Sequence, residues 1–143
     1  DMYGKAWSMG CGDDGQRGDG KTEDDARPLA TKVSLSTKVT QVEAGANHSV
    51  VLGANRVAYA FGANDVGQCG VDSDEDQIVS PNPIKVDEPI AHISAGYAHT
   101  ILTGESGKIY AFGQNDNGQL GVQPEDHDSP PSISVPTRVA INE

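Results

Sequence analysis

The stretch Val57-Ala58-Tyr59-Ala60-Phe61-Gly62-Ala63-Asn64-Asp65-Val66-Gly67-Gln68-Cys69-Gly70 decides the fold, because it returns 51 residues later. The second copy is Lys108-Ile109-Tyr110-Ala111-Phe112-Gly113-Gln114-Asn115-Asp116-Asn117-Gly118-Gln119-Leu120-Gly121. A looser copy stands 52 residues earlier, from Lys5 through Trp7-Ser8-Met9-Gly10 to Gly12, Gly15 and Gly18. A second block, within Val42 to Leu52, recurs from Ile93 to Leu102, with Val42 on Ile93 and His48 on His99, again 51 residues on. Two separate blocks with one period make an internal repeat.

Each unit reads as short strands. Trp7/Met9, Tyr59/Phe61 and Tyr110/Phe112 alternate with mostly small residues, so bulk faces one side of the strand and hollows the other. That alternation suits sheets stacked face to face, with five of the seven aromatics placed in the core. Thr31–Val33, Ile84–Val86 and Thr137–Val139 mark a further strand. Val39–Val42 with Ile90–Ile93, and Ser49–Leu52 with Thr100–Leu102, mark two more. No segment keeps a helical period over ten residues. Four short strands per unit of about 51 residues is the pattern of an all-β fold built of β-propeller blades. About three blades fit, with segments at roughly 1–41, 42–92 and 93–143.

Composition narrows the functions. The chain of 143 residues carries 10 Lys+Arg against 21 Asp+Glu, a net charge of −11. Nucleic-acid backbones and anionic membranes are gripped by clustered cations, so neither is expected as a direct partner. No run of eighteen apolar residues occurs and no leader pattern opens the sequence. Cys11 and Cys69 are too few for a disulfide scaffold and lack metal-type spacing, which points to a reducing cytoplasmic or nuclear compartment.

The Trp-Asp pair of WD repeats and the Gly-Gly doublet of kelch repeats are both absent. The blocks instead resemble the regulator of chromosome condensation family, whose repeats run aromatic-x-aromatic-Gly-x-Asn-x-x-Gly-Gln-Leu-Gly and then Val-x-x-Gly-x-x-His-Thr/Ser-x-x-Leu. The likeness covers roughly residues 4 to 139. Gly12 stands where Asn is usual, and Arg17 and Cys69 where Leu is usual. The resemblance implies a seven-bladed propeller, with the remaining blades supplied by a longer parent chain or by other chains. It also implies two functional branches. One is docking of protein partners; the other is guanine-nucleotide exchange on a small Ran-type GTPase. No wedge-like inserted loop and no basic tail is visible, which favours a protein–protein interaction scaffold, not an enzyme, over an exchange factor.

Several motifs have structural explanations. Gly15-Gln16-Arg17-Gly18-Asp19-Gly20-Lys21-Thr22 spells a phosphate-binding loop, but an acidic run ending in Pro28 follows it where a helix is required. Asp72-Ser73-Asp74-Glu75-Asp76 starts like a calcium loop, yet Gln77 and Pro83 replace the required Gly and Glu. No cofactor or metal is expected. His48 and His99 occupy equivalent places in two units, which suits a structural imidazole bonded to nearby backbone. Gly62, Gly67 and Gly70, with Gly113, Gly118 and Gly121, are assigned to turns or close approaches of backbone.

Charge is unevenly placed. The linkers after the glycine blocks hold Asp19, Glu23, Asp24 and Asp25, then Asp72, Asp74, Glu75 and Asp76, then Glu125, Asp126 and Asp128. These are 11 of the 21 acids, and they form a candidate acidic ribbon for a protein partner, either a small GTPase or a basic protein.

Overall fold

A computed structural model describes residues 1–122 and 130–141, with residues 23–28 described by their backbone alone. Ten strands follow one another: β1 (Trp7–Gly12), β2 (Glu23–Lys32), β3 (Val39–Ala44), β4 (His48–Gly53), β5 (Ala58–Ala63), β6 (Gln77–Pro83), β7 (Ile90–Ala95), β8 (His99–Gly104), β9 (Ile109–Gln114) and β10 (Ser132–Arg138). Among the described residues no helix is long and apolar enough to cross a membrane.

The strands form antiparallel meanders. One four-stranded sheet runs β3-β4-β5-β6, a second has the same topology with the β7, β8, β9 and β10 strands, and among the described residues β1 pairs with β2 alone. By the repeat, β1 and β2 correspond to β5 and β6. The sheets are out of phase with the period-derived segments: Val39–Ala44 crosses the 41/42 line and Ile90–Ala95 crosses 92/93.

Packing between sheets explains the large–small alternation. In the β4–β5 ladder Ser49 lies opposite Phe61 and Val51 opposite Tyr59, so these four share one face. His48, Val50, Leu52, Ala58 and Ala60 take the other face. Val50, Val51, Leu52, Ala60 and Phe61 are all 3% exposed or less, so both faces are buried. The rings of Phe61 and Phe112 seat over glycines of the preceding unit. A Cβ on Gly18 would meet the Phe61 ring at 2.7 Å, and one on Gly70 the Phe112 ring at 2.5 Å. Gly18 (φ 63°) and Gly70 (φ 62°) also occupy the left-handed region, so glycine is required twice over.

Three expectations need correction. The strand after each glycine block is Glu23–Lys32, Gln77–Pro83 or Ser132–Arg138, earlier than Thr31–Val33, Ile84–Val86 and Thr137–Val139. The acidic linkers after the first two glycine blocks, expected over residues 19–29 and 71–82, are therefore only partly linkers. Trp7 and Met9 do not enter the core: they are 48% and 64% exposed, on the face where β5 half-buries Tyr59 and buries Phe61. His48 bonds to a side chain of the next sheet, not to neighbouring backbone.

Candidate protein-interaction surface

The surface rests on rigid joints between sheets. His48 Nε2 and Thr100 Oγ1 are 2.9 Å apart, and Thr100 Oγ1 donates to the Gln68 carbonyl at 2.8 Å. A hydroxyl has one proton, so Nε2 must be the donor and Nδ1 the bare acceptor. Among the described residues Nδ1 is buried without a hydrogen-bond partner. It lies where a Cβ on Gly45 would come within 2.4 Å, which explains the Gly-x-x-His spacing, and Gly96 stands in the same relation to His99. Burial pushes the His48 imidazole down to about 4, with the charge of His99 acting in the same direction. One period earlier, Ser49 Oγ donates to the Gln16 carbonyl at 3.0 Å, as Thr100 does to Gln68. Gln41 completes the joint by donating to the Ala91 carbonyl (3.1 Å) and accepting from Ile93 N–H (3.2 Å).

The glycine blocks form loops stapled by asparagine. Asn64 Oδ1 accepts from Cys69 N–H at 3.2 Å, and its Nδ2 donates to the Glu75 carbonyl at 3.0 Å. Asn115 repeats both bonds with Leu120 N–H and the Pro130 carbonyl, each at 3.2 Å. Cys69 and Leu120 are buried beneath the loops, and burial pushes the Cys69 thiol up to about 12. The first copy solves the same problem differently. Arg17 is 1% exposed in the place of Cys69 and Leu120, paired with Asp19 at 3.3 Å. Its guanidinium carbon lies where a Cβ on Gly12 would approach within 2.3 Å. The two departures from the repeat are therefore one exchange, with glycine making room for arginine.

These loops carry the charged surface. Asp72, Asp74, Glu75 and Asp76 are exposed and, among the described residues, make no ion pair. Asp19 does not join them: its side chain is 7% exposed and held by Arg17. Glu23, Asp24 and Asp25 belong to β2, whose side chains there are not described, and Glu125, Asp126 and Asp128 lie outside the described residues. The loop that spells a phosphate-binding motif continues into a strand, and its Gly15 and Gly18 pack on Val79 and Phe61. Among the described residues no cluster of His, Cys, Asp or Glu is arranged to hold a metal.

Beside the 72–76 loop lies a groove of about 360 Å³ between the sheets, lined in part by Asp14, Asp65, Asp76, Gln77 and Tyr97. It forms where the β3–β4 and β7–β8 tips meet, joined by Ala46 N–H donating to the Tyr97 carbonyl at 2.9 Å. Gln77 ties the neighbouring unit to the rim through the Asp13 carbonyl (3.1 Å) and Asp14 Oδ1 (3.3 Å). No Lys or Arg lines this groove, and Tyr97, 78% exposed, forms its aromatic wall. Sequence reasoning missed Asp14, Asp65 and Tyr97. The two aspartates sit inside the repeat block, and Tyr97 beside the Gly96 of the second block, so their repeat positions were the available signal.

Stacked four-stranded meanders with glycine-rich loops stapled by asparagine define a β-propeller module. The chain belongs to the regulator of chromosome condensation (RCC1) repeat family, whose model matches residues 3–52, 57–103 and 106–143. It is 33% identical over 119 residues to the "Protein RCC2 homolog" of Danio rerio, covering 82% of this chain and 24% of that protein. It is 30% identical over 123 residues to the "Ultraviolet-B receptor UVR8" of Arabidopsis thaliana, covering 83% and 27%. The solved structure of Prp20p from Saccharomyces cerevisiae, described with its binding to Gsp1p and histones, superposes with a TM-score of 0.85. That match is 21% identical and covers 96% of this chain and 34% of the other. The chain thus spans about a quarter to a third of the proteins it resembles, and its fold is the RCC1-type β-propeller architecture.

Proposed function

We propose that this RCC1-repeat interaction module docks a protein partner rich in Lys and Arg through the 72–76 loop and the groove beside it. The observation that carries this is that Asp14, Asp65 and Asp76 line one groove with no cation among its lining, and that Asp76 ends the exposed acidic loop of Asp72, Asp74 and Glu75. Such one-signed surfaces raise association rates by steering, and an exposed tyrosine face adds attraction for a guanidinium or ammonium group. Binding, not catalysis, is the activity, and the free thiols of Cys11 and Cys69 suit a cytoplasmic or nuclear setting. The other acidic positions, Asp19, Glu23–Asp25, Glu125, Asp126 and Asp128, are secondary to this surface. The remaining blades of a ring come from further repeats.

Neutralising Asp72, Asp74, Glu75 and Asp76 to Asn or Gln tests the proposal. Association with a basic protein should slow about tenfold and lose most of its salt dependence. An unchanged rate and salt slope would refute it. The second reading, exchange on a Ran-type GTPase, is favoured by the likeness to Prp20p, whose description names binding to Gsp1p. Release of a fluorescent guanine nucleotide from such a GTPase tests that reading separately: acceleration by the chain supports exchange, and an unchanged rate removes it.

A further inference from the structure

Three hydroxyl side chains carry an acid three residues further on: Thr22 with Asp25, Thr40 with Glu43, and Ser73 with Asp76. Acids in these places suit a protein kinase whose substrate cleft is basic, because kinases choose their substrates by charge pattern. We propose that Ser73 is a phosphoryl-acceptor site for an acid-directed serine/threonine kinase, and that the groove Ser73 shares with Lys85 receives the phosphate. The site stands on that groove and does not depend on the basic partner proposed above.

The fold separates the three hydroxyls. A kinase must surround the acceptor and its acids with its own groups, so the segment cannot be committed to a sheet ladder. The acids after Thr22 lie in β2, where Glu23 is paired with Gly12 of β1. Thr40 is inside β3, and its Oγ1 donates to the Leu52 carbonyl at 3.1 Å. Ser73 and residues 74–76 stand outside any strand, because β6 starts at Gln77. Ser73 Oγ accepts from Glu75 N–H at 3.2 Å, and among the described residues its own proton has no acceptor. Asn64 holds the loop from beneath: its N–H donates to the Asp76 carbonyl (2.6 Å) and its Nδ2 to the Glu75 carbonyl (3.0 Å). The carbonyls are thus fixed inward while Asp74, Glu75 and Asp76 are exposed.

A receiver for the phosphate lies beside the hydroxyl. A groove of about 300 Å³ opens between β6 and β10, the last strands of their two sheets, lined among others by Asp72, Ser73, Asn82, Lys85, Val135 and Pro136. Lys85 supplies the positive charge of this lining; it is exposed and, among the described residues, makes no ion pair. In the transfer Ser73 Oγ attacks the γ-phosphorus of ATP and an O–P bond forms. The bond to the β–γ bridging oxygen breaks, ADP leaves, and the serine proton passes to the base of the kinase. The product carries a charge of about −1.5 to −2 and three acceptor oxygens, which an ammonium group pairs well. Asp72 and Asp74 repel the phosphate from the loop, and Lys85 draws it into the groove. The acids choose the enzyme, whereas the hydroxyl and the lysine make the site.

The test treats the whole chain with an acid-directed serine/threonine kinase, ATP and magnesium, and follows the phosphate by mass spectrometry and phosphorus NMR. One phosphate should enter, at Ser73, and Ser73→Ala should take up none. Asp76→Asn should slow incorporation at least about tenfold, the loss of one charge-assisted contact with the enzyme. The second ionisation of the phosphate should lie lower in the phosphorylated chain than in phosphorylated Lys85→Gln, by about 0.5. Asp76 and Lys85 are exposed, so both variants keep the fold, which their amide spectra verify. No incorporation, or incorporation at Thr22 or Thr40 in place of Ser73, would overturn the proposal. So would undiminished labelling of Asp76→Asn, or equal ionisation of the phosphate with and without Lys85.

Discussion

The imidazole of His48 donates to Thr100 Oγ1 across the junction of two sheets, 2.9 Å away, and leaves its own Nδ1 buried against Gly45. Each protein group in this joint has a single assignment: Thr100 gives its proton to Gln68, and His48 must be neutral. A second proton would put charge on a nitrogen with no acceptor beside it. The joint thus holds two blades together only while the ring is uncharged.

Stability should therefore fall as the pH drops from 7 to 5. The folded-state pKa of His48, about 4, lies below the ordinary 6.5, so the unfolded chain takes up the proton first. The stabilisation is complete above pH 6.5, is lost progressively as the pH falls, and levels off below about 4. Its loss by pH 5 should be about 2 kcal/mol in urea unfolding. His48→Gln should be less stable at pH 7 and show a flatter profile over this range. An equal slope in both proteins would refute the assignment.

Glycines at blade contacts should tolerate alanine far worse than glycines in open turns. Gly70→Ala drives a Cβ into the Phe112 ring and strains φ, so a loss of about 3 kcal/mol is expected. Gly107→Ala meets nothing within 4 Å, and only its φ of 86° is unfavourable, so about 1 kcal/mol is expected. Denaturant midpoints of the two variants check the ranking.

Arg17 and Gly12 should behave as a coupled pair. Gly12→Asn alone collides with the guanidinium and should destabilise, and Arg17→Leu alone strands Asp19 and leaves space beside Gly12. The double variant restores the pattern of Asn64 with Cys69 and of Asn115 with Leu120, and should recover stability by more than about 1 kcal/mol over additivity. Additive single effects would show that the two positions are independent.

The repeat made most of the fold legible. Large–small alternation in 57–61 and 108–112 correctly placed bulky rings against the neighbouring sheet, because a buried central strand has no other way to fill both faces. The β6 and β10 strands were misplaced for a physical reason. Gln77–Pro83 contains Pro81 and Pro83, and Ser132–Arg138 contains Pro136, which read as breaks. An edge strand needs only one row of ladder bonds, so proline is tolerated there. The acidic surface was legible only in part. Loop composition singled out Asp72–Asp76, but Asp19 is taken by a buried arginine that no local pattern announces. Tyr97 and Asp65 join the groove through sheet stacking, which brings together tips 32 residues apart in sequence.

The acidic docking surface is tested most directly by titrating a Lys/Arg-rich peptide into the isotopically labelled chain and following every backbone amide by NMR. Shifts should concentrate on residues 72–76, Asp14, Asp65 and Tyr97, and should weaken as salt is raised. Absence of shifts at these positions, or a binding footprint elsewhere on the blades, would contradict the account.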